Sequence, residues 1–209
     1  MSSFLRFVLF SSCTVILCAQ SGGGVITVQE LRNPLTGSSL HAIVAAREHL
    51  KSGQRDRGMR ELRDAMKDPA AMPYALGMLG EEHLKAGQVD AALGELEQAV
   101  LLLPQPQIRS NLAYALYLKG ETGRGLQEVR KALQLDGGKP KTRLVFGMLL
   151  LQQGTHDAEA IQQLQAAAEG TPSAHLVLAR HYDRTGKAPE AEKERRAYEI
   201  TSMGLFASK

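Results

Sequence analysis

Five glycines recur at almost one interval along the chain, and this spacing constrains the fold more than any other feature. They are separated by 34, 33, 34 and 32 residues, and each follows an apolar helical stretch: Gly53, Gly87, Gly120, Gly154 and Gly186. A fixed period of this length indicates one supersecondary unit that has been copied about five times.

Each copy predicts two helices joined by a tight turn. Before Gly87, apolar and small residues follow the spacing of one helix face, at Leu76, Leu79, Gly80, His83 and Leu84. A second stripe, with Leu96 and Ala99, follows the same glycine. Glycine suits the turn because a left-handed backbone conformation at a helix C-terminus is low in strain only without a Cβ.

Small residues recur at one position in each predicted helix, so the two helices of a unit can approach closely. In the first helix they are Ala46, Gly80, Ala113, Gly147 and Ala179. In the second helix they are Gly58, Ala92, Gly125, Ala160 and Ala191.

This arrangement resembles the tetratricopeptide repeat, a 34-residue helix-turn-helix unit. The resemblance is best in the second copy, in which the family's positions hold Leu79-Gly80, Gly87, Ala92, Leu96, Ala99 and Pro104. It implies an all-α fold, a right-handed α-solenoid of antiparallel helix pairs, in a domain at residues 39–201. The five repeats would start near residues 39, 73, 106, 140 and 172. The last departs from the pattern at Arg195 and Tyr198, and we interpret it as a solvent-facing capping repeat.

The beginning of the chain predicts export. Residues 1–19 contain an early cation, Arg6, then the apolar run Phe7 to Cys18 and small residues, which is the layout of a secretory signal peptide. We therefore expect an exported, bacterial protein of the periplasm, the cell envelope or the extracellular space. The alternative is lipidation of Cys18, because Val15 to Cys18 resembles a lipobox. The chain would contact a membrane only in that case.

Two short segments flank the repeats. Residues 20–38 are expected to form a flexible linker and lead-in, in which Val25 to Leu31 either shields the end of the repeats or offers an edge strand to a partner. Residues 202–209 are expected to form a frayed tail.

Charge and motifs argue against nucleic acid and against catalysis. The net charge is only +3, and basic residues alternate with acids, as in Arg60 to Asp64, so no one-sided cationic stripe is present. His49 and His83 occupy equivalent positions and are interpreted as packing residues. We predict no metal site, no cofactor and no catalytic residues; an enzyme with a site hidden in the groove is kept as a third possibility.

The resemblance implies that the first helix of each repeat lines a concave groove. We therefore expect a non-catalytic scaffold of the cell envelope that binds a peptide or an amphipathic helix of a partner protein. The alternative is a lipid-anchored envelope assembly component. The predicted groove residues are Tyr74, Glu81, Tyr114, Tyr117, Lys141, Met148 and Arg180. Neighbouring groove positions such as Leu144 and Leu151 could instead pack between adjacent first helices.

Overall fold

The computed structural model describes residue 35 and residues 37–207, with side chains as far as residue 203. This part of the chain forms ten helices. They are α1 (Gly37–Lys51), α2 (Arg55–Ala65), α3 (Met72–Lys85), α4 (Val89–Leu102), α5 (Pro106–Lys119), α6 (Thr122–Asp136), α7 (Pro140–Gln153), α8 (Asp157–Ala168), α9 (Ser173–Arg184) and α10 (Ala188–Ala207). Odd-numbered and even-numbered helices pair in sequence, which confirms the predicted all-α fold of helix pairs.

The turn inside each helix pair depends on its glycine. Gly87 has φ of +72°, a left-handed conformation, and the four equivalent glycines lie between +74° and +79°. The backbone N–H of Gln88 donates to the carbonyl of His83 at 2.8 Å, which closes the end of α3. A side chain at this φ would be strained, so the predicted role of the turn glycines is confirmed.

The small residues inside the pairs allow leucines of the facing helix to come close. A Cβ placed on Gly80 would lie 2.5 Å from Cγ of Leu96, and one on Gly147 would lie 2.6 Å from Cγ of Leu164. Both leucines are fully buried. The helix pairs are therefore held by leucines that occupy the space left by missing side chains.

The chain divides into two compact units within the first turn of α5. The N-terminal unit runs to Ile108 and the C-terminal unit begins at Arg109. The N-terminal core includes Ile43, Leu62 and Leu79. The C-terminal unit has its own buried clusters, whose members include Leu126, Val129, Phe146, Leu149, Leu164, Leu178 and Tyr182.

Two element boundaries differ from the expected ones. Helix α1 begins at Gly37, within the expected lead-in, and α10 continues through the expected tail to Ala207. Within this last part of α10, the hydroxyls of Thr201 and Ser202 donate to carbonyls one turn earlier, and Met203 is 70% exposed. The predicted signal segment 1–19, Cys18, the linker to residue 34 and residues 208–209 lie outside the described residues.

Candidate functional site

A cleft of about 240 Å³ lies in the C-terminal unit, between the first helices of three successive repeats. Helix α5 contributes one residue, α7 contributes three and α9 contributes four. They are Tyr117, Met148, Leu151, Gln152, Val177, Arg180, His181 and Arg184. Three of them, Tyr117, Met148 and Arg180, are among the residues predicted from the repeat phase.

One wall of the cleft is apolar and well supported. The ring of Tyr117 stacks on that of Tyr114, with 6.1 Å between centroids and 12° between planes. Both tyrosines are half-buried and pack against the core that contains Phe146 and Leu149. Leu151 packs against this core and against the one that contains Leu178. The wall therefore presents large side chains whose positions are fixed by the core residues against which they pack.

The opposite wall is cationic. Arg180 and Arg184 lie one turn apart on α9, are exposed, and have no hydrogen bond or ion pair within the described part of the chain. His181, between them in sequence, is 4% exposed, and its Nδ1 is buried without a hydrogen-bond partner among the described residues. No aspartate or glutamate is among the described residues that line the cleft. The cleft is therefore an apolar surface beside two uncompensated positive charges.

Gln152 holds the rim of the cleft in place. Its side-chain N–H donates to the backbone carbonyl of Tyr117 at 3.1 Å, and its side-chain oxygen accepts from the hydroxyl of Thr122 at 2.8 Å. These contacts join the end of α7 to the turn between α5 and α6. Tyr117 is therefore positioned through its backbone as well as through its ring.

The remaining predicted groove residues lie elsewhere. Lys141 is exposed in the first turn of α7 and does not line the cleft. Tyr74 is half-buried against the core of the N-terminal unit. Glu81, on α3 of the same unit, pairs with Lys85 at 3.0 Å. Of the seven predicted residues, the structure brings together Tyr114, Tyr117, Met148 and Arg180.

Arg184 and His181 line the cleft but are not among the residues predicted from the sequence. Arg184 follows Arg180 by four residues, so it shares a helix face with it, and this spacing was the available signal. His181 gave no such signal, because a single histidine in a helix is uninformative without its neighbours. Its burial beside two arginines is visible only in the folded unit.

The histidines interpreted as packing residues also make polar contacts. Nδ1 of His83 lies 2.6 Å from Oε2 of Glu95, and Nε2 of His49 lies 3.4 Å from Oε1 of Glu61. Each contact joins the two helices of one repeat. The signal for these contacts was an acid or amide at one position of every second helix: Glu61, Glu95, Glu128, Gln163 and Glu194.

Within residues 35 and 37–207, no group of three or more histidine, cysteine or acidic side chains has the geometry of a metal site. Among the ten described helices, none has both the length and the apolar character needed to cross a membrane.

The sequence itself matches a known family in its middle. Residues 78–140 match the model of a tetratricopeptide repeat family. This segment contains the end of α3, the helices α4, α5 and α6, and the start of α7. A comparison with curated proteins finds no significant match.

Solved structures similar to the chain extend the likeness to most of its length. A thermophilic TPR protein of Thermus thermophilus is 23% identical, with 82% of this chain and 98% of that one covered and a TM-score of 0.64. PilW, a widely conserved type IV pilus biogenesis factor, is 20% identical, with 79% and 78% covered and a TM-score of 0.69. MamA from Desulfovibrio magneticus RS-1 is 13% identical, with 81% and 98% covered and a TM-score of 0.61.

At these identities the structural likeness shows the fold alone. The sequence match at residues 78–140 and the fold of the helix pairs before and after it agree. Residues 78–140 therefore match the tetratricopeptide repeat, and the chain has the α-solenoid fold of tetratricopeptide-repeat proteins.

Proposed function

We propose that the protein is a non-catalytic interaction scaffold that binds a peptide or an amphipathic helix of a partner protein in the cleft of its C-terminal unit. The observation that carries this proposal is the cleft between α5, α7 and α9. Half-buried Tyr117 and Met148 line this cleft, and Tyr117 packs against the buried core of the unit. Tyrosine and methionine suit such a role because they offer large contact areas to an apolar partner.

The chemistry of the lining residues favours binding over catalysis. The cleft contains one histidine and two arginines, but among the described residues no serine, threonine, cysteine, aspartate or glutamate lines it. A histidine there would have no adjacent side-chain nucleophile to activate and no carboxylate to orient it. The cleft is better suited to holding a ligand than to transforming one.

We propose further that the protein acts in the cell envelope after export, which rests on the signal-like residues 1–19. The mature protein is expected to begin at or near Gln20 and to carry no thiol, as N-terminal sequencing and mass spectrometry would show. Recovery of intact Met1 from the cytoplasm would contradict export. A diacylglyceryl mass on Cys18 would support the alternative, a lipid-anchored assembly component.

The cleft assignment is tested by changing Tyr114 and Tyr117 together to Ala. We expect loss of partner capture from an envelope extract, because such residues contribute about 2 kcal/mol or more each when they are hot spots. The helical circular dichroism should be nearly unchanged. Loss of helicity would mean that the tyrosines serve the core instead.

A photocrosslinking amino acid provides a test that does not depend on destabilising variants. Placed at Met148, it should crosslink to the same partner that affinity capture identifies. Placed at Leu101, which is 80% exposed on α4, it is the control and should not. Crosslinking from Leu101 alone would place the partner on another surface.

A further inference from the structure

The charges of the cleft indicate which kind of peptide it accepts. Resting on the proposed function, we infer that the cleft is a binding site for an acidic peptide segment of a partner protein. In this assignment a glutamate or aspartate side chain binds Arg180 and Arg184, while a neighbouring apolar side chain lies on Tyr117, Met148 and Val177.

The two arginines differ from every other described arginine of the C-terminal unit. The others are all engaged within the unit: Arg109 with Glu128, Arg124 with Glu121, Arg130 over the ring of Phe146, Arg143 with Gln163, Arg195 with Asp183 and Arg196 with Glu192. Arg180 and Arg184 are therefore the two arginines in the described part of this unit that make no hydrogen bond, ion pair or ring contact.

Their spacing suits a carboxylate. Residues four apart on a helix are neighbours on its surface, so both guanidinium groups can reach one ligand. Arginine donors match the geometry of a carboxylate, and their hydrogen bonds to it are charge-assisted. Asp183, the acid next to Arg184 in sequence, is bound to Arg195 at 2.6 Å and does not line the cleft.

His181 is a second, independent sign of a polar ligand. Its side chain lines the cleft and is almost fully buried, yet Nδ1 has no hydrogen-bond partner in the described residues. A buried polar group without a partner costs free energy, so such groups are rare in folded proteins. This unpartnered nitrogen lies on the same helix as the two arginines.

The apolar wall distinguishes a peptide from a free anion. Met148, Leu151 and Val177 have no hydrogen-bond donor for an inorganic ion, whereas they and the ring of Tyr117 would lie under an apolar side chain adjacent to the carboxylate. The same wall gives no reason for nucleic acid to prefer this site, because Tyr114 already stacks on Tyr117. An amphipathic acidic segment satisfies both walls at once.

The inference can be tested with three fluorescent twelve-residue peptides of leucine and phenylalanine that alternate with glutamate, glutamine or lysine. Fluorescence anisotropy with the full mature protein should show the glutamate peptide bound about tenfold more tightly than the glutamine peptide, and the lysine peptide most weakly. The preference for glutamate should decrease as salt increases.

A double variant that combines Arg180→Gln with Arg184→Gln should bind the glutamate peptide no more tightly than the glutamine peptide. Arg60→Gln is the matched control, because Arg60 is exposed on α2 and should leave both affinities unchanged. Circular dichroism of the three proteins should superimpose, since these side chains make no described contact that supports the fold.

The outcomes separate this inference from the proposed function. Equal binding of the glutamate and glutamine peptides by the wild-type protein would overturn the acidic preference and leave a peptide-binding cleft. An unchanged preference in the double arginine variant would overturn the assignment of the two arginines. No binding of any of the three peptides would contradict both proposals, and self-association that requires Arg180 and Arg184 would identify a second copy as the occupant.

Discussion

Helix pairs in the two units use the same acidic position but connect it to opposite ends of the first helix. In the N-terminal unit, Glu95 meets His83 near the end of α3. In the C-terminal unit, Glu128 meets Arg109 near the start of α5, and Glu194 meets His175 near the start of α9.

In each first helix, a polar residue occupies one of two positions, at the start or at the end, and the other position is apolar. Where the end of the first helix holds His49 or His83, its start holds Ala42 or Leu76. Where the start holds a polar residue, the end is apolar and buried, as shown by Arg109 with Leu116, Arg143 with Leu150, and His175 with Tyr182.

Helix geometry explains why either arrangement works. The two positions are seven residues apart, which is about two turns, so both lie on the face toward the second helix. A long acidic side chain on that helix can meet either one. The apolar and glycine contacts therefore define the repeat, while the polar contact can form at either of two positions of the first helix.

The largest expected effect tests whether the apolar contacts are equivalent in the two units. Leu96→Ala and Leu164→Ala should each lower the free energy of unfolding by about 2 to 5 kcal/mol, because both side chains are fully buried. Thermal unfolding and hydrogen exchange of each unit would measure this. Lys193→Ala is the exposed control, and a silent change at either leucine would break the equivalence.

The next effect tests the close approach of the helices. Gly80→Ala and Gly147→Ala should each cost about 1 to 3 kcal/mol, because the new Cβ overlaps Leu96 or Leu164. The matched control is Gly94→Ala, a helical position with nothing within 4 Å of a new Cβ, which should be neutral or slightly stabilising. Urea unfolding would measure all three. Destabilisation by Gly94→Ala as large as that at Gly80 would show that helix glycines matter for another reason.

The smallest effect tests the polar contact and its pH dependence. Burial raises the pKa of Glu128, but hydrogen bonds and charges from Lys131 and Arg109 outweigh it, so this pKa lies below the ordinary 4.5. Its stabilisation is therefore complete above that value and is lost as the pH falls through the lower folded-state pKa. Glu128→Gln should cost about 1 kcal/mol at pH near 7.

The difference between wild type and Glu128→Gln should shrink in acid, which urea titrations at neutral and acid pH would show. A difference in the free energy of unfolding that stays constant with pH would mean that the shape of the Glu128 side chain, and not its charge, makes this contact stabilising. Glu95→Gln, measured at neutral pH, tests the same acidic position in the N-terminal unit, where the partner is His83 on α3.

The predictability of these features depends on whether they repeat. The turn glycines recur in every copy, and so do small residues at the position of Gly80 and Gly147, so the period alone predicted both features. The polar contacts recur too, but a glutamate such as Glu95 is typical of a solvated helix face, and nothing local shows that a partner lies opposite. The repeat phase placed Tyr117, Met148 and Arg180 on one side, yet the isolation of His181 depends on packing that no period encodes.

The stacked pair Tyr114 and Tyr117 also has an optical consequence. The chain contains five tyrosines and no tryptophan, so its ultraviolet emission comes from tyrosine alone. Two of those five rings are coupled at the edge of the cleft. Any ligand that covers Tyr117 would alter the environment of this pair, and the protein would then report its own occupancy without a label.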